Sequence, residues 1–290
     1  MTNYGENYLK KMSTLEDRLK HWYQGDDKLL YHYTSLSSAC KILENHNLRL
    51  SNLTNTNDPL EFAFTNSLDC SWVGEIDEKK VFRELEISRM KRASSVRMMC
   101  FCMDKYCKQE DWNNEKNQNY ADNFLFKGWA RSRMWAQYAE NHAGVCLIFD
   151  KEKFKDEFEG LKEKSDAIEI LQDQDITYSN YLTNLEAAMV DIRSGHTPDK
   201  DYTDFYLEPE RRQYLFQKCE DYRDENEYRF CLINRDLKSP DEPMFVDYGS
   251  SLLAIIYGQR FSKALQLRIP DSVEQYQIFW KYGKPDVWKV

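Results

Sequence analysis

The stretch Glu225-Asn226-Glu227-Tyr228-Arg229-Phe230-Cys231-Leu232-Ile233 decides how the rest of the chain is read. From Glu227 onward the side chains alternate with the period of two that a β-strand imposes. Glu227, Arg229 and Cys231 share one face and Tyr228, Phe230 and Leu232 the other, so one face is expected to be polar and the other apolar. Just upstream, a helix is expected to end near Cys219. Downstream, Leu252 to Tyr257 reads as a buried strand, and Asp271 with Glu274 has the spacing to cap a C-terminal helix.

Further upstream the pattern changes repeatedly between the two periods. Leu29 to Thr34 reads as a strand, and Leu36, Ala39, Cys40 and Leu43 follow at helical spacing, with Asn47 as a stop. Leu48 to Ser51 reads as another strand, Asn52 to Asn57 as a polar loop, and Asp58-Pro59 as a helix start. A helix from Asp77 to Arg92, a strand from Val96 to Cys102, a helix from Ser132 to Asn141 and a strand from Val145 to Phe149 come next. Helical spacing returns at Phe154/Phe158 and again at Leu182, Leu185, Met189 and Ile192, with Gly195 as stop. At the start, Ser13 and Glu16 have capping-box spacing ahead of Leu15, Leu19 and Trp22. Residues 104–123, with five Asn between Asn113 and Asn123, read as a polar surface insertion. Strands and helices do not alternate regularly, so the expected class is α+β. The expected organisation is a helical extension over residues 1–28 and a single domain over 29–290, built on a mixed or antiparallel split sheet with helical insertions.

Composition narrows the function classes. Among 290 residues, 40 Lys and Arg face 49 Asp and Glu, and the net charge of −9 argues against broad electrostatic binding to nucleic acid or anionic membrane. The longest apolar run, Leu252 to Tyr257, is far too short to span about 30 Å of hydrocarbon, so no membrane partner is expected. Glu6, Glu16 and Asp17 with no apolar core among them argue against a secretory signal, and a cytoplasmic location is expected. Eight cysteines are then expected to be reduced thiols. With 7 Trp, 19 Tyr and 15 Phe beside 10 Gly and 7 Pro, a folded chain with ring-lined clefts for a flat ligand is expected.

Several residue groups carry candidate chemistry, each with a plain structural alternative. In Tyr31-His32-Tyr33-Thr34, His32 faces away from Tyr31 and Tyr33 at a strand-to-helix corner suited to a phosphate or ribose; alternatively it is a buried histidine bonded to a carbonyl. In Asn57-Asp58-Pro59-Leu60-Glu61 the carboxylates read as substrate-positioning groups or as a capping box on Asp58 and Glu61. Trp135 and Tyr138, at i and i+3, frame a planar base or form a core stripe. Arg131 to Arg133 and Arg89, Lys91, Arg92 and Arg97 read as solvated faces. Glu225, Glu227 and Arg229 hold a ribose hydroxyl and stabilise positive charge at an anomeric carbon, or form a salt-bridge ladder on a solvated sheet face. Cys100, Cys102 and Cys107 have poor zinc spacing, and no metal is expected. No Gly-rich phosphate loop, nucleophile elbow or His-Glu-x-x-His helix occurs.

Taken in order, Leu30 to Thr34, Leu48 to Ser51 with Asn57 to Glu61, Cys100-Phe101, Trp135 to Ala139 through His142 to Cys146, and Glu225 to Arg229 resemble a bacterial family catalogued as domain of unknown function 2971. The resemblance spans about residues 29 to 260. More distantly, a histidine on an early strand, aromatic residues in the middle and a late strand glutamate resemble the His-Tyr-Glu arrangement of the ADP-ribosyltransferase superfamily. That resemblance implies an ADP-ribosyltransferase-like fold and NAD as substrate. It gives His32 the adenosine-side ribose and Glu227 the nicotinamide ribose, as the catalytic pair, with Tyr33, Trp135 or Tyr138 stacking on nicotinamide. Thr34 and Arg229 join the nucleotide-binding set, and Asn57, Asp58, Glu61 and Glu225 the substrate-positioning set. Where the superfamily often has a Ser or Thr on a middle strand, this chain has Cys100-Phe101-Cys102. The expected function is an enzyme that uses NAD to modify a protein or nucleic-acid acceptor, as a toxin or phage-defence effector. The alternatives are a non-enzymatic nucleotide-sensing or protein-binding module and a Mg²⁺-dependent nuclease built on Asp58, Glu61 and Glu227.

Overall fold

The computed structural model describes residues 14–20, 27–58, 61, 70–73, 77–105, 127–180, 188–191, 207–262 and 267–290. Its helices are α1 (Leu15–Lys20), α2 (Leu36–Asn45), α3 (Glu78–Ser95), α4 (Ser132–Tyr138) and α5 (Lys151–Glu159). The strands are β1 (Leu29–Thr34), β2 (Asn47–Arg49), β3 (Cys70–Val73), β4 (Val96–Met103), β5 (Val145–Asp150), β6 (Ile168–Ile170), β7 (Gln174–Asp175) and β8 (Thr177–Tyr178). They continue with β9 (Ala188–Asp191), β10 (Gln217–Lys218), β11 (Glu227–Asn234), β12 (Phe245–Asp247), β13 (Leu252–Tyr257), β14 (Glu274–Lys281) and β15 (Lys284–Lys289). Irregular mixing, a large mixed sheet and few helices make the class α+β, as the changing periodicity implies. No helix among the described residues is long and apolar enough to cross a membrane.

The chain forms two compact units, the first from residues 1–47, 101–157 and 247–290 and the second from 48–100 and 158–246. In the first, the strands run in the order β15-β14-β13-β5-β1, followed by the end of β4. All pairs there are antiparallel except β13 with β14. One face of this sheet packs on Leu19, Trp129, Met134 and Trp135 through Tyr31, Tyr33, Cys146, Ile148, Ile256 and Tyr276. In the second unit, β11 pairs antiparallel with β6 and β7, and β10 runs parallel to β8. Its core gathers Val96, Met98, Leu215, Phe216, Cys231 and Ile233.

Local chemistry explains most boundaries. Ser35 caps α2 by accepting from the Ser38 N–H, and Asp77 caps α3 by accepting from Lys79 and Lys80. α2 ends one residue ahead of the expected Asn47, at His46 in the left-handed conformation. The cap of α1 is Thr14, whose hydroxyl accepts from the Asp17 N–H; Ser13 and Trp22 lie outside the described residues.

Several expectations are corrected. In place of a C-terminal helix after Asp271, β14 and β15 form a hairpin, because Tyr276 and Ile278 are buried at a period of two and no helical stripe follows the capping pair. Tyr282 and Gly283 both take positive φ at its turn, as a two-residue hairpin requires. The helix expected to end near Cys219 is two 3-10 segments, Pro209–Phe216 and Glu220–Glu225, separated by β10. Ala188–Asp191, expected as helix, is a strand parallel to β3; most of that expected helix, and residues 106–123 of the expected insertion, lie outside the described residues. Both faces of β11 are buried, so no face of it is solvated. Arg92, Arg97 and Arg131 are buried rather than solvated. Arg97 spends its guanidinium on backbone carbonyls, those of Ser94 and Val96 at the end of α3 and those of Ser239, Pro240 and Glu242, which completes the terminal acceptors of that helix.

Candidate functional site

In the second unit the late strand and the short elements around it bring five charged side chains together. β11 carries Glu227 and Arg229 two residues apart, and therefore on one face. Arg229 donates from Nε to Glu227 Oε1 at 2.7 Å, from Nη2 to Glu61 Oε1 at 2.5 Å, and from Nη1 to the Leu215 carbonyl at 2.7 Å. Lys218 Nζ bridges Glu225 Oε2 at 2.6 Å and Glu227 Oε2 at 2.9 Å. All five are 1–8 % exposed. Taking so many charges out of water costs several kcal/mol each, and only close pairing with hydrogen bonds offsets that cost.

The local chain explains the placement. Asn226 adopts a left-handed conformation that ends the 3-10 segment and turns the chain into β11. This puts Glu225 and Glu227 on either side of one lysine. The Glu227 N–H donates to Tyr178 Oη at 2.8 Å, which fixes the start of β11 against β8. Asp58 Oδ2 accepts from the Cys219 N–H at 2.6 Å, the Asn57 carbonyl accepts from Tyr222 Oη at 2.8 Å, and the Tyr222 ring lies 4.7 Å from Lys218 Nζ. Asn57 and Asp58 are thereby tied to the segment that carries Lys218, and Glu61 stands at a helical position; Pro59 and Leu60 of the expected capping box lie outside the described residues.

The two buried carboxyls facing Arg229 are pushed in opposite directions. Burial raises Glu61, and the repulsion of Glu227 adds to it, against the pull of Arg229. Burial works to raise Glu227 too, but Arg229 and Lys218, with hydrogen bonds from Cys100 and Lys218, outweigh it and hold that carboxyl at about 2. Lys218 is held charged well above the ordinary range, because Glu227, Glu225 and Glu61 overcome its burial. The Cys100 thiol is raised by burial and by Glu227.

The first unit disposes the other candidates differently. Tyr33 and Trp135 meet edge to face at 5.2 Å in the core, where Tyr33 Oη donates to the Gly128 carbonyl at 2.5 Å and Trp135 Nε1 to the Trp129 carbonyl at 2.8 Å. Tyr138 packs against the same cluster. His32, one residue along β1, lies on the opposite face, edge-on to Phe101 at 6.0 Å. Thr34 is buried at the end of β1, paired with Val145. The core stripe and the histidine side therefore occupy different faces of one strand.

Sequence reasoning missed Lys218, Cys100 and Tyr178. Lys218 sits on a strand of two residues, too short to show any period, and Cys100 stands out in the sequence only for its zinc spacing, for the Cys100-Phe101 motif and for standing where the ADP-ribosyltransferase superfamily often has a Ser or Thr. No curated protein and no solved structure matches the chain significantly. Residues 134–230 match a family model described as a protein of unknown function (DUF2971), and that match, which takes in Trp135, His142, Lys218, Glu227 and Arg229, supports the family resemblance over this third of the chain.

Proposed function

We propose that the carboxylate centre of the second unit cleaves and transfers at an N-glycosidic bond, with NAD as donor and a macromolecule as acceptor, an ADP-ribosyltransferase-like activity. The observation that carries this reading is the convergence of two buried carboxyls, Glu61 and Glu227, on the one guanidinium of Arg229, an arrangement that sets the two in unlike surroundings as an acid–base division of labour requires. When the bond from ribose C1′ to the nicotinamide nitrogen breaks, nicotinamide leaves as a neutral molecule with the bonding pair. The electron-poor ribose carbon is stabilised by the ionised Glu227. An acceptor nucleophile then bonds to C1′ and passes its proton to Glu61, whose raised pKa makes its ionised form a stronger base than an ordinary glutamate. Lys218 and Arg229 hold Glu227 ionised throughout.

A second reading makes the same centre a structural ion-pair network in a non-enzymatic binding module. It is favoured by the engagement of both Glu227 oxygens by Lys218 and Arg229. The test is calorimetry with NAD, together with mass spectrometry for released nicotinamide, on the wild type and on Glu227→Gln and Glu61→Gln. The transferase reading expects saturable binding and nicotinamide release that falls at least a hundredfold in Glu227→Gln. If well-folded wild type neither binds NAD nor releases nicotinamide, the transferase reading fails and the binding module stands. Glu61→Gln, which keeps an acceptor for Arg229, serves where Glu227→Gln does not fold.

A further inference from the structure

The first unit has an open surface pocket of about 310 Å³ lined by Ser132, His142, Gln259, Arg260 and Trp280. Its wall offers a hydroxyl, an imidazole, a side-chain amide, a guanidinium and an indole, and contains no carboxylate. Among the described residues no carboxylate pairs with Arg260, which reaches only the Asn141 carbonyl at a long 3.5 Å. The nearby Glu140 directs its carboxylate to the Leu36 N–H at 3.1 Å. Burial and the adjacent Arg260 hold the His142 imidazole below its ordinary value, so a neutral ring able to donate one hydrogen bond stands beside a single guanidinium that has no counter-charge among the described residues. Trp280 keeps its indole N–H shielded from solvent with no acceptor among the described residues, a costly arrangement for a buried donor.

The site is also built rigidly. His142 stacks on Trp135 with ring centroids 6.4 Å apart and planes 12° apart, and meets Trp280 edge-on at 6.2 Å. Glu140, Asn141 and His142 all take positive φ, a conformation that non-glycine residues hold only when their surroundings enforce it. The enforcement is visible: the His142 N–H donates to the Trp135 carbonyl at 3.0 Å, the His142 carbonyl accepts from the Arg260 N–H at 2.9 Å, and a Cβ on Gly258 would come within 2.2 Å of that same carbonyl.

We propose that this pocket binds the phosphate group of a small phosphate monoester. A tetrahedral oxyanion accepts from guanidinium, imidazole, amide and hydroxyl donors at once and supplies the missing counter-charge. The volume exceeds that of phosphate alone, and the His142 and Trp280 rings in the wall suit a flat body attached to it.

The test titrates the full chain with inorganic phosphate and, separately, with AMP, following the His142 ring resonances by NMR across pH. Bound phosphate favours protonated imidazole, so the His142 pKa rises in phosphate relative to equal ionic strength of chloride. Arg260→Gln, a change at an exposed position, weakens binding about tenfold or more, and Arg260→Lys restores part of it. AMP binding tighter than phosphate assigns the flat body to the rings; equal affinity assigns the site to the phosphate alone. His142 resonances that do not respond to either probe at tens of millimolar, or that respond equally in Arg260→Gln, overturn the proposal. Because the readout is local to the first unit, its outcome is independent of NAD turnover.

Discussion

Arg229 Nη2 lies 2.5 Å from Glu61 Oε1, a contact between residues 168 apart in the chain. Together with its bond to Glu227 it makes one guanidinium the link between β11 and Glu61. Arg229→Met leaves two carboxyls buried without their shared cation, and a loss of about 3–5 kcal/mol is expected from denaturant unfolding. Glu61→Gln is expected to cost less, about 1–2 kcal/mol, because burial already favours the neutral carboxyl there. In the double variant the two costs should fail to add, and simple additivity would show that the contact carries no coupling.

The acid limb of stability has a definite sign. The Glu227 carboxyl titrates at about 2 in the fold and near its ordinary value, about 4.3, when unfolded. Its stabilisation is therefore fully present above the unfolded value and is lost as the pH falls toward 2, on the order of 3 kcal/mol in all. Glu61 has the opposite sign, since its raised carboxyl costs stability as the pH rises through its folded value. Unfolding curves from pH 2 to 7 check this: the wild type should lose stability steeply below pH 4.5, and Glu227→Gln should show a shallower limb.

These relationships were unevenly legible. β1, β5 and β13 run for six residues each with clear apolar character, and their limits could be read almost to the residue. The Glu227–Arg229 pair was legible because i and i+2 share a strand face. The polar face expected on β11 carries Glu227 and Arg229 as read, but it is not solvated, because Lys218 from the preceding short strand and Glu61 from a distant segment turn a solvated ladder into a buried network. Nothing in local periodicity announces a two-residue strand such as Gln217–Lys218. At the C-terminus, Asp271 and Glu274 met a capping spacing, while the alternation of Tyr276 and Ile278 carried the stronger signal for β14.

Tyr33→Phe separates a core role from a ligand role. The hydroxyl donates to the Gly128 carbonyl at 2.5 Å inside the core, and its removal leaves a buried acceptor unmet. A stability loss of about 1–2 kcal/mol is expected, with NAD affinity unchanged in calorimetry. Weakened NAD binding in a variant of wild-type stability would return Tyr33 to the nucleotide-binding set.

Gly258→Ala tests how tightly the turn at His142 is held. The added Cβ would meet the His142 carbonyl oxygen at 2.2 Å and the Gly144 carbonyl oxygen at 2.9 Å, both backbone atoms that cannot step aside cheaply. Overpacking of this kind costs about 1–3 kcal/mol, and the thermal midpoint should fall accordingly. The Trp135–His142 stack should loosen with it, seen as a shift of the His142 ring resonances. An unchanged midpoint would show that the segment from Glu140 to Gly144 yields freely.

Lys218→Met acts on the same carboxylate as Arg229 from its other oxygen. Lys218 holds Glu227 Oε2 at 2.9 Å and Glu225 Oε2 at 2.6 Å, so its loss leaves two buried carboxylates facing each other across an apolar side chain. Stability should fall by about 3–5 kcal/mol at neutral pH and partly recover as the pH is lowered, because protonation of either carboxyl relieves the repulsion. The Glu227 carboxyl, no longer held down by the ammonium, should titrate higher than in the wild type. If the centre transfers ADP-ribose, the acid limb of nicotinamide release moves to higher pH in the same direction. A variant whose stability falls but whose acid limb stays where it was would place Lys218 in the scaffold alone, with Arg229 sufficient to keep Glu227 ionised.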